Sequence, residues 1–212
     1  MFYETERESA LRFGDVLAGF LIAVPVVDDP ILPDHEGLEG HAYSIDVTKP
    51  LFCVVLSPCC SIGKKRISLA PLINVRPSFL DNEHLAEDLT RVNREMEPHQ
   101  TLPSRTWECL SDEERARRLN EGRGLAFLDT FVYEQRPLFP EYPVHRRGQH
   151  LNTRYYMIQF GDTFRLDCDN VNSPEDAPLH AKQLQLSVKT RGELRDKLAY
   201  YYARVPEEDQ LD

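Results

Sequence analysis

The sequence lacks what a membrane-spanning or exported chain needs. Its most apolar run, residues 19–27, is far shorter than the roughly 20 residues that cross a bilayer. The opening Met1-Phe-Tyr-Glu-Thr-Glu-Arg-Glu is acidic where a secretory leader is basic, so a cytoplasmic location with no membrane contact is expected. No Cys-x-x-Cys and no His-x-x-x-His occurs, and adjacent cysteines are poor joint ligands for one zinc ion, so neither a metal nor a cofactor is expected. Five cysteines, an odd number, point to reduced thiols and not to a disulfide framework. Positive charge is also scarce. With 25 basic against 35 acidic residues the net charge is −10, which excludes unaided, non-specific binding to nucleic acid but leaves room for a local basic groove. There is no internal repeat and no low-complexity tract.

What is present organises around Leu51-Phe-Cys-Val-Val-Leu-Ser-Pro-Cys-Cys60. Six apolar residues stopped by Ser57-Pro58 predict a strand buried on both faces. A second strand over 66–75, after the basic turn Gly63-Lys64-Lys65, completes a hairpin. Upstream, 1–11 reads as a short helix and 14–24 as a first strand bent at Gly19. Residues 25–40 read as a wet loop, and Tyr43, Ile45 and Val47 alternate as in a half-buried strand.

From Ser78 the period changes. Leu85, Leu89, Val92 and Met96 fall at helical spacing up to Pro98. Ser111-Asp-Glu-Glu114 matches a capping box for a helix ending at Gly122 or Gly124. Residues 125–133 are either a strand or a buried helical turn, and Pro137, Pro140 and Pro143 punctuate an irregular loop. Strand texture returns over 153–160 and 163–168 around a Gly161-Asp162 hairpin signal, then over 181–188. Thr190-Arg-Gly-Glu193 opens a last helix with Leu194, Leu198 and Tyr201 or Tyr202 as its buried stripe. The acidic end, 206–212, reads as solvated. The expectation is a single α+β domain over 1–212: a small SH3-like β-barrel or curled antiparallel sheet from 12–76 and 152–188, a helical insertion at 78–150, and a C-terminal helix at 190–204.

Gly14-Asp15-Val16-Leu17, Lys49-Pro50 with Val54-Val55-Leu56-Ser57, and Ala70-Pro71-Leu72-Ile73 follow one another in an order that resembles the MazF/PemK family of toxin endoribonucleases. Met157-Ile158 and Leu184-Gln-Leu-Ser before an Arg/Leu-patterned helix are similar to its C-terminal half. The resemblance covers about 12–75 and 152–203. It leaves 26–42 and 78–150 unmatched. It implies an SH3-like barrel, and RNA cleavage by an arginine beside the proline and a Thr or Ser after the third motif. This chain has Lys49, displaced by two residues, and Ile73-Asn74 instead. Lysine lacks the arginine fork, and isoleucine does no acid–base work, so the implied scaffold outlasts the implied catalysis.

Two clusters remain. Cys59 and Cys60 at a strand end are candidates for a reactive thiol activated by Lys64, Lys65 or a histidine, or else for small core residues like Cys53. Arg146, Arg147 and Arg154, with His145, His150, Tyr155 and Tyr156, have the interleaving that phosphate contact and base stacking need, and Lys64, Lys65 and Arg66 would extend the patch. The alternative is a solvated loop pairing with acids. The functional expectation is a binding module in a bacterial toxin–antitoxin or defence-type system, with a protein partner, or RNA or DNA through the basic patch. A homodimer stays open. One alternative is a metal-independent endoribonuclease using Lys49, Arg66 or Arg146 and Arg147; another is a thiol-dependent protein using Cys59 or Cys60.

Overall fold

A computed structural model describes residues 1–27, 43–62, 66–167, 175 and 181–203. Lys64, Lys65, Cys168, the loop at 28–40 and the acidic end at 206–212 lie outside the described residues. In chain order come β1 (Val16–Ala18), β2 (Ile22–Val27), β3 (Tyr43–Thr48), β4 (Phe52–Val55), β5 (Arg66–Pro71) and β6 (Ile73–Asn74). Then follow α1 (Pro77–Asp81), β7 (Glu95–Met96), α2 (Ser104–Cys109), α3 (Asp112–Glu121), β8 (Gly124–Leu125), β9 (Thr130–Tyr133), β10 (Tyr142–Arg146) and β11 (Gln149–Thr153). The chain closes with β12 (Tyr156–Gln159), β13 (Phe164–Asp167), β14 (Lys182–Leu184) and α4 (Val188–Ala203). The class is α+β with antiparallel sheets.

A five-stranded sheet of order β13-β5-β4-β1-β14 sits beside a three-stranded sheet of order β6-β12-β9. The β5–β6 run passes from the first sheet into the second at Leu72, whose N–H still donates to the Phe52 carbonyl. Among the described residues the ladders do not close into a barrel. Strand β4 is buried on both faces as its sequence predicts. Val54 joins a core with Phe131, Tyr133 and Leu194, whereas Cys53 and Val55 join one with Leu17, Ile67 and Leu69. Burial pushes the Cys53 thiol up to about 12, so it is an inert core residue.

Gly14 has a structural reason of its own. Its φ is +84°, and a Cβ there would lie 2.6 Å from Cδ1 of Leu186. Gly14→Ala should therefore destabilise the fold by about 2 kcal/mol, measured by urea denaturation, through backbone strain and displacement of Leu186.

Several elements depart from the sequence expectation. Residues 1–11 are not helical: Tyr3 bridges Leu186, its hydroxyl donates to the Glu134 carbonyl at 2.6 Å, and Phe2 is buried with it. A lone short helix is marginal in water, so two aromatic anchors decide the conformation. The Leu85–Met96 periodicity does identify buried residues, all in one cluster with Phe79, Val132 and Met157. They do not share a helix. Asn82 and Asp88 accept from the backbone N–H groups of His84 and Thr90, which diverts the chain into turns and a short 3-10 segment, Leu89–Asn93. Asn93 then braces the β9 backbone, donating to and accepting from Val132 at 2.6 and 2.7 Å.

Segment 78–150 is thus not purely helical, and its strand β9 completes the three-stranded sheet. The Gly161-Asp162 turn is no two-residue hairpin either, because β12 pairs with β6 and β9 whereas β13 crosses to β5. Ser111 caps α3 as predicted and Gly122 ends it with φ +73°. Helix α4 starts before its expected box. Ser187 Oγ accepts from Thr190 N at 3.2 Å, and Val188 is helical and exposed.

Candidate partner-docking groove

Ser57 fixes the turn that follows β4, its Oγ accepting from Ser68 N at 2.7 Å, and Pro58 O accepts from Ser61 N and Ile62 N. This sets Leu56, Pro58 and Cys59 opposite α4. On that helix Arg191, Arg195, Leu198 and Tyr202 recur at intervals of three or four residues and so share one face. Leu194 and Lys197, on the adjoining inward side of the helix, are buried in the core. Between helix and turn lies a groove of about 610 Å³, floored by Phe13, Leu56, Leu198 and Ala199 and edged by Cys59, Arg191 and Arg195.

The charged residues that line it are Arg191 and Arg195. Arg191 donates from Nη2 to the Leu186 carbonyl at 3.2 Å, but its buried Nε has no partner among the described residues. Arg136 and Arg154 each have a buried Nε in the same condition, and such donors are ordinarily met by water or by a partner group. Arg12 carries a pKa raised chiefly by its hydrogen bond to Glu8, and Cys59 faces the same guanidinium. Arg195 pairs with its neighbour Asp196 on an exposed surface, where such pairs are worth little and exchange readily. The Cys59 thiol is half-buried at this edge of the groove. A second cavity of about 550 Å³, between the end of α3 and β8, includes Arg118 and Arg123, but these already bind Glu114 and Glu97.

The sequence candidates are dispersed. Lys49 is exposed ahead of β4, whereas Cys59 and exposed Cys60 follow its far end, so the strand separates them. Arg66 is exposed at the start of β5, opposite Asp167 in register. Arg146 is half-buried beside Leu151 and Tyr155. Arg147 lies 3.4 Å from Glu83, and Arg154 lies 3.1 Å from Glu141. Arg66 and Arg147 therefore stand toward opposite ends of the β5–β6–α1 run. Ile73 is half-buried and Asn74 exposed in β6. Among the described residues no group of three or more His, Cys, Asp or Glu could hold a metal ion. No described helix is long and apolar enough to cross a membrane.

Sequence reading missed Arg191 and the buried lysines. Arg191 sits inside a stretch read as a capping box, and only the helix phase, known once Ser187 is seen as the cap, turns it toward the groove. No protein-family model matches the chain, and comparison with curated proteins and with solved structures gives no match either.

Proposed function

We propose that this chain is a partner-binding module on a MazF/PemK-like scaffold, and that the α4 groove receives an acidic, apolar segment of a protein partner in a toxin–antitoxin or defence-type system. The observation that carries the reading is the groove itself: an apolar floor, an arginine edge and one unmet guanidinium donor. The scaffold reading is supported by placement. Stretches 12–75 and 152–203 supply α4 and all five strands of the five-stranded sheet as well as the residues that line the groove, and β9 is the strand of the three-stranded sheet that comes from outside them. Loss of catalysis is supported by Lys49 and Ile73-Asn74 at the positions where the family carries arginine and Thr or Ser.

A panel of 12-residue peptides alternating leucine or phenylalanine with glutamate tests this by fluorescence anisotropy. The acidic peptides should bind, their lysine counterparts should not, and Arg191→Glu should weaken binding about thirtyfold, near 2 kcal/mol. Binding that ignores peptide charge, or survives Arg191→Glu, overturns the reading. Mixed single-stranded RNA incubated with the protein and EDTA should stay intact on a gel; metal-independent cleavage would restore the endoribonuclease alternative.

The position of Cys59 gives the thiol alternative a specific test. In a Cys60→Ser background, iodoacetamide should block the groove and abolish peptide binding. If Cys59 is fully alkylated and affinity is unchanged, the thiol does not border the docking surface.

A further inference from the structure

Outside the groove, the β10–β11 hairpin brings two histidines together. His145 and His150 are directly opposite in the antiparallel register, with ring centroids 4.1 Å apart. The turn between the strands is locked. Arg147 and Gly148 both have positive φ, +47° and +80°, as a tight two-residue hairpin turn requires, so the pairing cannot slip without strain. Alternation along the strands decides what surrounds the imidazoles. Val144 and Thr153 are buried on the inward face, whereas His145 and His150 are exposed on the outward one with Pro143 and Asn152. Arg146 belongs to the inward set and lines the small cavity beneath the hairpin, and Arg147 is directed to Glu83. Neither arginine position shares the outward face.

We propose that His145 and His150 form a two-point chelate for a first-row divalent transition ion, with water filling the remaining positions. Two neutral imidazoles without a carboxylate select Ni(II), Cu(II) or Zn(II) over Mg(II) or Ca(II). Preorganisation comes from the hairpin, since the rings are already in contact before any ion arrives. The bound ion would tie β10 to β11 across a ladder whose other outward residues are only Pro143 and Asn152. Affinity falls as pH falls, because an imidazole must be neutral to ligate. The spacing His-x4-His gives no hint of this in a helix or a single strand; the hairpin register creates the pair.

Ni(II) alone, titrated calorimetrically into tag-free full-length protein with its thiols carbamidomethylated, tests the site. Binding at one site per chain is expected, with His150→Ala weakening it at least about tenfold, the scale of loss known even for groups that merely support a ligand. The double variant Gln149→His with His150→Gln keeps the composition but moves one imidazole to the inward face. It should lose affinity to the same degree while circular dichroism stays unchanged. Undiminished Ni(II) binding in both variants, or no saturable binding to the parent at millimolar Ni(II), overturns the proposal.

Discussion

Lys182→Met should destabilise the protein by about 3–5 kcal/mol, the range for a buried ion pair that loses one partner. The Lys182 and Asp15 side chains are 3% and 0% exposed and 2.8 Å apart. The Lys182 ammonium also donates to the Ala10 carbonyl at 2.8 Å and to Gln185 Oε1 at 2.7 Å, tying the N-terminal segment to β14. Asp15 shows how unfavourable its surroundings are. Burial raises its pKa, and the hydrogen bond and charge of Lys182 only partly offset that. Its Oδ1 is buried without a partner. With the lysine gone, a lone carboxylate faces the core. Asp15→Asn combined with Lys182→Met removes both charges but keeps an acceptor for Arg12 N, so it should recover most of the loss. Urea denaturation of wild type, single and double variants measures this. A single variant as stable as wild type would mean the pair contributes no interdependence between β1 and β14.

The second large effect belongs to Lys197. Its side chain is 1% exposed, its Nζ donates to the Val92 carbonyl at 2.6 Å, and burial lowers its pKa to about 7 despite the opposing attraction of Asp129. Arg76 adds repulsion, and it is itself paired with Asp129 and Gln159. An unfolded lysine titrates near 10.5, so between pH 10.5 and about 7 the unfolded chain takes up a proton that the folded chain refuses. Stability then rises with pH across that window, by up to about 5 kcal/mol at 1.36 kcal/mol per unit. Lys197→Met should flatten the slope. At pH 7 it should gain about 3 kcal/mol after losing one hydrogen bond to Val92. Guanidinium denaturation of both proteins at several pH values reads the difference curve; parallel curves would mean that Lys197 stays charged when folded.

These two lysines mark the limit of what the sequence discloses. Strand β4 was legible because six apolar residues ended by Ser57-Pro58 admit few alternatives. The α3 cap at Ser111 was legible because its partner lies three residues away. No local pattern singles out Lys182 or Lys197, since each acquires its burial from partners far along the chain: Asp15 for one, Val92 for the other. Leu85, Leu89, Val92 and Met96 gave the right buried set and the wrong element, because side-chain bonds from Asn82 and Asp88 outcompete helix. The docking groove was half visible. Cys59 drew attention for its position after a strand, but the arginine edge depends on the phase of α4, which Ser187 sets. The His145–His150 contact needed the Arg147-Gly148 turn, which reads as basic sequence before it reads as a hairpin.

The groove is tested most directly by a charge swap. Affinity should fall when Arg191→Glu meets the acidic-apolar peptide and return toward the parental value when one peptide glutamate is changed to lysine. Recovery in that double-mutant cycle would place the peptide carboxylate against Arg191 and establish the groove as a docking surface. Equal losses with no recovery from any swapped position would contradict it, and the groove would then be a packing gap between α4 and the β4–β5 turn.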